Sequence, residues 1–251
     1  MIDIEYRSNN AVNKSTLWWL RKSPAHYKWA LTAETPDTPA MKFGRAVHAA
    51  ILEPNKYTSE FVTFSGDRRT KAGKEEYQAL IESGKEIISS EDAENVRAMV
   101  NALPHSAINL INGAEKEKAL FWTDPETGVE CKGRLDAIGG GLVIDYKTTT
   151  DASTEAFTRE AMRYGYDLQA AMYLTAAELN GYGNCEFVFI AQEKSAPFAV
   201  NIIRASEAFI DRGRWIMQDL LRKWKECDKT GEWPGYGENE LIIPEWAVMD
   251  E

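Results

Sequence analysis

The segment GRLDAIGGGLVIDYKTT, residues 133–149, constrains this chain more than any other stretch. Three consecutive glycines, Gly139-Gly140-Gly141, separate two apolar runs and predict a tight turn between neighbouring strands. Asp136 then lies near the end of one strand, and Asp145 and Lys147 lie on the next. Side chains alternate along a strand, so Asp145 and Lys147 share a face, and the hairpin can bring Asp136 close to Asp145. Leu142, Val143 and Ile144 run into Asp145 without a break, a pattern expected of a strand buried on both faces. Two carboxylates held together there need a positive neighbour. A hard divalent cation with a preference for oxygen ligands, Mg²⁺ with Mn²⁺ as its substitute, supplies one. Lys147 beside them can orient an attacking water or stabilise charge developing on a phosphate.

Around this hairpin the chain changes character. Up to about residue 112 it reads as helical. Asn13 or Ser15 caps a helix through Leu17, Trp18 and Leu20 that stops before Ser23-Pro24. A second helix begins near Pro39 and runs to Glu53-Pro54. Residues 66–74, GDRRTKAGK, read as a basic loop leading into a helix near 75–83, and Ser89 or Ser90 starts another that ends before Pro104. Strands are expected at 119–122, 129–138 and 142–147, helices at 153–163 and 166–180, strands at 186–192 and 198–203, and a helix at 206–225. The expectation is an α/β (α+β) fold, a central mixed sheet flanked by helices. It divides into an N-terminal helical region (1–112), a core (113–225) and an acidic tail (226–251), all within one structural domain.

The three cysteines, Cys131, Cys185 and Cys227, form no CxxC pair, which argues against a zinc ribbon or an iron–sulfur cluster and fits a reducing cytoplasm. No apolar run has the length of a membrane span, and no basic-then-apolar leader is present, so a cytoplasmic protein with no membrane association is expected. No GxxxxGK[ST] loop occurs, so neither ATP-driven unwinding nor a nucleotide cofactor is expected. The net charge is −10, unevenly spread. Four basic groups and one acid give residues 66–74 a charge of +3, whereas eight acids and one lysine give residues 226–251 a charge of −7. Net charge therefore neither excludes nor supports a nucleic-acid ligand.

Asp136 followed by Asp145-Tyr146-Lys147 resembles the signature of PD-(D/E)XK nucleases, and VIDYKTT is similar to the matching strand of RecB- and RecE-type enzymes. The resemblance implies that both acids bind metal, that Tyr146 lends its backbone carbonyl, and that Lys147 assists the nucleophilic water. FGRAVHAAILEP, residues 43–54, resembles the family helix in which a glycine precedes a histidine by four positions; Gly44 and His48 share a helix face, and His48 is implied as a metal ligand. Glu117, in EKALFW, matches a glutamate on the strand before the hairpin that faces the metals, with Glu115 two residues away as the other choice of register. Gln169 and Tyr173, in GYDLQAAMYLTA, match a QxxxY motif that contacts DNA near the scissile phosphate and braces the site. Similarity to RecE-type nucleases runs from NKSTLWWLRKSPAHYKWA (13–30) to Tyr173. Gly133-Arg134-Leu135 departs from the pattern by lacking the proline that often precedes the first aspartate.

The resemblance implies an exodeoxyribonuclease acting on linear duplex DNA ends in the 5′-to-3′ direction and leaving 3′ overhangs. These would pass to a single-strand annealing protein of RecT type, in a bacterial or phage-infected cell. Its alternatives are a RecB-like nuclease acting on single strands or flaps, and a non-catalytic DNA-binding or assembly module; the joint presence of Asp136, Asp145 and Lys147 speaks against the latter. Arg68, Arg69, Lys71 and Lys74 are the expected phosphate contacts. Alanine at Asp136, Asp145 or Lys147 is expected to abolish cleavage and leave the fold intact. A homo-oligomeric ring, a tetramer as in RecE-type enzymes, is expected to enclose the duplex. The tail, with Trp233, Tyr236 and Trp246, reads as a docking segment or as a solvated end with packed aromatics.

Overall fold

A computed structural model describes residues 3–33 and 36–243. Five strands form the central sheet in the order β3-β4-β5-β6-β7: β3 (Glu115–Thr123), β4 (Glu130–Gly139), β5 (Leu142–Thr149), β6 (Glu186–Glu193) and β7 (Val200–Arg204). All neighbours are antiparallel except β5 and β6, which run parallel. A parallel pair needs a long crossover, supplied by α9 (Thr154–Tyr164) and α10 (Tyr166–Leu179). The final helix, α11 (Glu207–Thr230), packs on α10.

Both faces of the sheet are covered, and the alternation along β5 shows how. Val143 enters a core shared with α2 (Lys14–Leu17), α10 and α11, through Leu17, Leu168, Met172 and Leu220. Ile144 and Tyr146 enter a second core on the other face, shared with α4 (Pro39–Leu52), α7 (Ser90–Ala102) and α8 (His105–Asn112), through Val47, Leu52, Met99 and Ile111. The N-terminal helices are thus one layer of the same sandwich. Three Ser or Thr caps, Thr38, Ser89 and Ser206, accept a backbone N–H three residues on and start α4, α7 and α11.

Several elements lie outside the sequence expectation. These are α1 (Asp3–Ser8), α3 (Pro24–Thr32), α5 (Pro54–Glu60), α8, and a separate two-stranded parallel sheet of β1 (Phe61–Phe64) and β2 (Glu86–Ser89). Between β1 and β2 runs α6 (Lys71–Glu82), capped by Thr70, whose Oγ1 accepts from Gly73 N at 3.0 Å. The expected loop at 66–74 therefore gives way to helix at Lys71, because Thr70 caps it there. The last helix runs past residue 225 to Thr230 and ends at Gly231, with φ +73°. Beyond it Trp233 stacks on Tyr27 (centroids 5.2 Å apart) and Tyr236 lies against His26 (5.4 Å); Trp246 lies outside the described residues. No helix among the described residues is long and apolar enough to cross a membrane.

Candidate active site

The site sits where the sheet splits. Gly140 and Gly141 (φ +58° and +74°) turn the chain between β4 and β5 in a conformation that side chains other than glycine rarely adopt. From there the strands pair at only three positions: Gly139–Leu142, Ile138–Val143 and Ala137–Ile144. The next step would set Asp136 opposite Asp145, but the ladder stops. The Asp136 carboxylate instead accepts the Tyr146 N–H at 2.8 Å, standing in for the missing backbone partner. Further along, the edge of β4 vacated by β5 is taken by Val12, which donates to the Glu130 carbonyl and accepts from Lys132 N, each at 2.8 Å.

Helix α4 carries His48 into this fork. Its Nε2 lies 3.0 Å from Asp136 Oδ2 and its Nδ1 lies 3.3 Å from Glu117 Oε1. The β3–β4 pairs Lys116–Ala137 and Lys118–Leu135 flank Glu117 and Asp136, so the register leaves those two residues opposite each other. Glu117 has φ +50°, a strained conformation for a glutamate and of a kind that collects at functional sites. Glu115 faces elsewhere; it is exposed, 2.6 Å from Lys118 Nζ and 3.0 Å from the Tyr182 hydroxyl.

One ligand atom each from His48, Glu117 and Asp136 falls within 4.8 Å of the others. Glu117 Oε1 is buried and accepts no hydrogen bond, which leaves it suited to a cation. An imidazole with two carboxylates fits a divalent metal that takes oxygen and nitrogen ligands. Burial pulls His48 down, but Asp136 and Glu117 outweigh it and hold the imidazole up at about 9. Burial pushes Glu117 up to about 7, against the opposing pull of His48. Asp136 lies below the usual carboxylate range, because His48 and Lys147 overcome the effect of burial.

On the other prong of the fork, Asp145 is fully buried between Lys147 Nζ (2.6 Å) and Gln169 Nε2, which donates to its Oδ1 at 2.6 Å. Burial raises Asp145 to about 6 despite the lysine, and Lys147 is raised because Asp145 and Asp136 outweigh its own desolvation. Tyr146 turns its ring to the opposite face, where its hydroxyl donates to Gln192 Oε1 at 2.6 Å. The carbonyls of Gly141 and Thr149 accept from Glu186 and Lys194 at either end of β6, so odd-numbered residues of β5 bond towards β6. Even-numbered ones face β4, and the Tyr146 carbonyl therefore points into the fork with its N–H. Tyr173 packs over Gly133, where an added Cβ would lie 2.9 Å from its ring. A side chain at position 133 would have to displace that ring.

Most of the residues expected from sequence thus converge, in two halves: His48, Glu117 and Asp136 in one, and Asp145, Lys147 and Gln169 in the other. The basic run does not join them. Arg69 pairs with Asp67 at 2.9 Å, Arg68 lies over the Tyr77 ring at 4.4 Å, and Lys71 is 3.9 Å from Glu75. The cavity of about 390 Å³ that opens beside His48 and Glu117 is lined by other cations, Arg7, Arg45, Lys56 and Arg134, together with the acids Glu53, Glu60 and Glu86. Arg134, two residues before Asp136 and 4.0 Å from Glu117, had a signal in its position; Arg7 and Lys56 had none. Behind Lys147, whose Nζ lies 5.0 Å from the Tyr166 ring centroid, Lys14 lies 5.6 Å from the same ring. Burial and then the charge of Lys147 bring Lys14 down to about 8.

Residues 14–243 match the profile of the family described as "PDDEXK-like domain of unknown function (DUF3799)". The chain belongs to this PDDEXK-like family. Its members' name places it in the PD-(D/E)XK nuclease superfamily, and the fork at Asp136 and Asp145-Tyr146-Lys147 is where that motif falls. A crystal structure of a candidate exonuclease from Eubacterium rectale shares the fold, with a TM-score of 0.68 at 13% identity, over 97% of this chain and 95% of the other. A phage-related exonuclease from Haemophilus somnus matches at a TM-score of 0.34 and 15% identity, over 91% and 100% of the two chains, and adds nothing to the assignment of the fold. No curated protein matches this PDDEXK-like chain.

Proposed function

We propose that this chain is a metal-dependent exodeoxyribonuclease of RecE type. In this reading it degrades linear duplex DNA from its 5′ ends and leaves 3′ single strands for an annealing protein of RecT type. The observation that carries the reading is the convergence in one fork of a three-residue metal cradle with a buried Asp–Lys pair.

In this reading His48, Glu117, Asp136, Asp145 and the Tyr146 carbonyl hold Mg²⁺, with Mn²⁺ as substitute. When bound, the ion supplies Lewis-acid polarisation of the phosphate and a more acidic water. The protein's own groups do the rest. Lys147 stays protonated at neutral pH and presents an ammonium to charge building on the phosphate. Asp145 fixes that ammonium, and Gln169 fixes Asp145, so the cation needs no reorganisation as charge develops. Arg134, Arg7 and Lys56 stand at the mouth of the cavity among Glu53, Glu60 and Glu86, and in this reading they contact the sugar–phosphate backbone, which suits recognition independent of sequence.

Digestion of linear duplexes labelled at either 5′ or either 3′ end, with and without Mg²⁺, tests the proposal. Progressive, Mg²⁺-dependent release of 5′ label with the 3′ strand left intact is expected. Internal cuts, or release of 3′ label first, would refute the exonuclease reading or its polarity.

A further inference from the structure

Beyond Lys147, at the carboxyl end of β5, lies a second cleft of about 330 Å³, lined by Thr149, Arg159, Glu160, Arg163, Tyr164 and Lys194. Its cations come from separate places: Arg159 and Arg163 from α9, and Lys194 from the end of β6. Its single carboxylate, Glu160, accepts the Thr149 hydroxyl at 2.7 Å. Arg159 is held by Glu155 in an ion pair exposed to solvent, which exchanges readily for a better anion. No carboxylate among the described residues lies within ion-pair distance of Arg163 or Lys194. Tyr164 forms the rim, 46% exposed, with the Arg163 guanidinium 5.5 Å from its ring centroid.

The cleft is joined to the fork. The Tyr164 ring stacks on that of Tyr166 (6.0 Å, 29°), and Tyr166 in turn lies against the Lys147 ammonium. Lys14 donates to the Tyr164 carbonyl at 2.7 Å and faces the same Tyr166 ring. Cations, an exposed aromatic face and a short path to the reacting lysine form the pattern by which proteins track a nucleic-acid strand, phosphates on the cations and bases on the rings.

We propose that this cleft seats one DNA strand next to the scissile phosphate, with Arg163 and Lys194 on its phosphates and Tyr164 under a base. The inference rests on the nuclease reading and supplies what the 66–74 segment lacks, a basic surface contiguous with the site.

Fluorescence anisotropy of a labelled single-stranded DNA, with Ca²⁺ in place of Mg²⁺, tests it across a range of salt. The variants are Arg163→Gln with Lys194→Gln, Tyr164→Ala, Tyr164→Phe, and Arg68→Gln with Arg69→Gln as comparison. The double charge variant should bind at least about tenfold more weakly and lower the log–log salt slope by about 1.4, at roughly 0.7 per lost phosphate contact on a single strand. Tyr164→Ala should weaken binding about tenfold, and Tyr164→Phe should restore it. Hydrolysis of bis(4-nitrophenyl) phosphate, too small to span the cleft, should keep its kcat in every variant. Unchanged affinity and slope in the charge variant, with the wild type still cutting DNA, would overturn this inference and leave the nuclease reading standing. A wild type that neither binds DNA nor hydrolyses the small diester would remove both.

Discussion

Asp145 is completely buried, and its charge is met by one ammonium, that of Lys147, and one amide, that of Gln169. Taking away one partner of such a pair strands the other, at a cost of about 3 kcal/mol or more. Lys147→Ala should therefore abolish cleavage and also lower the melting temperature by roughly 6–12 °C, at 2–4 °C per kcal/mol for a chain of this size. Asp145→Asn, which keeps the volume and the Gln169 contact, should abolish cleavage with a smaller loss, and calorimetry of the two variants checks the contrast. His48 gives a pH signature. Its folded value, about 9, exceeds its ordinary 6.5. It therefore stabilises the metal-free protein fully below about pH 6.5, and this contribution disappears as pH rises through about 9. A metal ligand must be unprotonated, so Mn²⁺ binding should release protons and tighten up to about tenfold per pH unit for each proton displaced. Titration calorimetry in buffers of different ionisation enthalpy reads this directly; no proton release between pH 7 and 8 would exclude His48 as a ligand. These residues were legible because Asp136, Asp145 and Lys147 fall in one short segment and His48 follows a motif spacing. Arg163 and Lys194 carry no such signal, since only the packing of α9 against the end of β6 brings them together. The contiguous cations at 68–74 were conspicuous in sequence, but none of them lines the cavity beside His48 or the cleft at Arg163.

At the scale of elements, α10 is the part that sets the geometry, because it carries Gln169 and Tyr173. It is seated by α11, whose Gly213 lets the Asp167 carbonyl approach so closely that any Cβ would overlap it; the Arg212 guanidinium clasps the Asp167 side chain beside this contact. Two effects compete in Gly213→Ala. Alanine favours the helix by about 1 kcal/mol, while forcing the backbones apart costs about 1–3 kcal/mol. Overpacking against rigid backbone should win, giving a net loss of stability in urea unfolding and a larger fall in kcat than in the affinity for DNA as Gln169 shifts from Asp145. A stability gain would mean that the crossing is looser than described. The long elements α4, α10, α11 and β3 to β6 were readable from periodicity and caps. The short α1, α3, α5 and α8 were not, since one or two turns show little period. The β1–β2 pair was hidden for a different reason: its strands are four residues each and meet only across α6.

For the whole molecule, the net charge of −10 bears on how an exonuclease would stay on its substrate. Local cations are few against that field, and salt screens them beyond about 10 Å. A closed ring of four copies around the duplex would retain DNA topologically rather than by charge, and cyclic symmetry closes such a ring from one polypeptide. Native mass measurement in dilute solution should give a tetramer of the 28.3 kDa chain, with processive digestion in excess competitor DNA. A stable monomer that remains processive would rule the ring out. Deleting residues 238–251 tests whether the acidic tail contributes; unaltered assembly and unaltered binding to the annealing protein would remove the docking idea.

The segment around Val12 has a consequence for how the enzyme is made. It fills the breach between β4 and β5, and the Asn9 carbonyl is tied to Lys132 across 123 residues of sequence. Ribosomal synthesis delivers residues 9–14 well before β4, and domains generally fold as units as they emerge. The early segment must therefore wait, unpaired, until β4 has been translated. Lys14 reaches its place behind Lys147 later still, once Tyr164 and Tyr166 have been made. Asp145 and Lys147 follow β4 in the chain, so the fork is completed only after the Val12 segment has a strand to join. A bulky fusion just ahead of Val12 should therefore slow the docking of this segment on β4 more than one placed after α11.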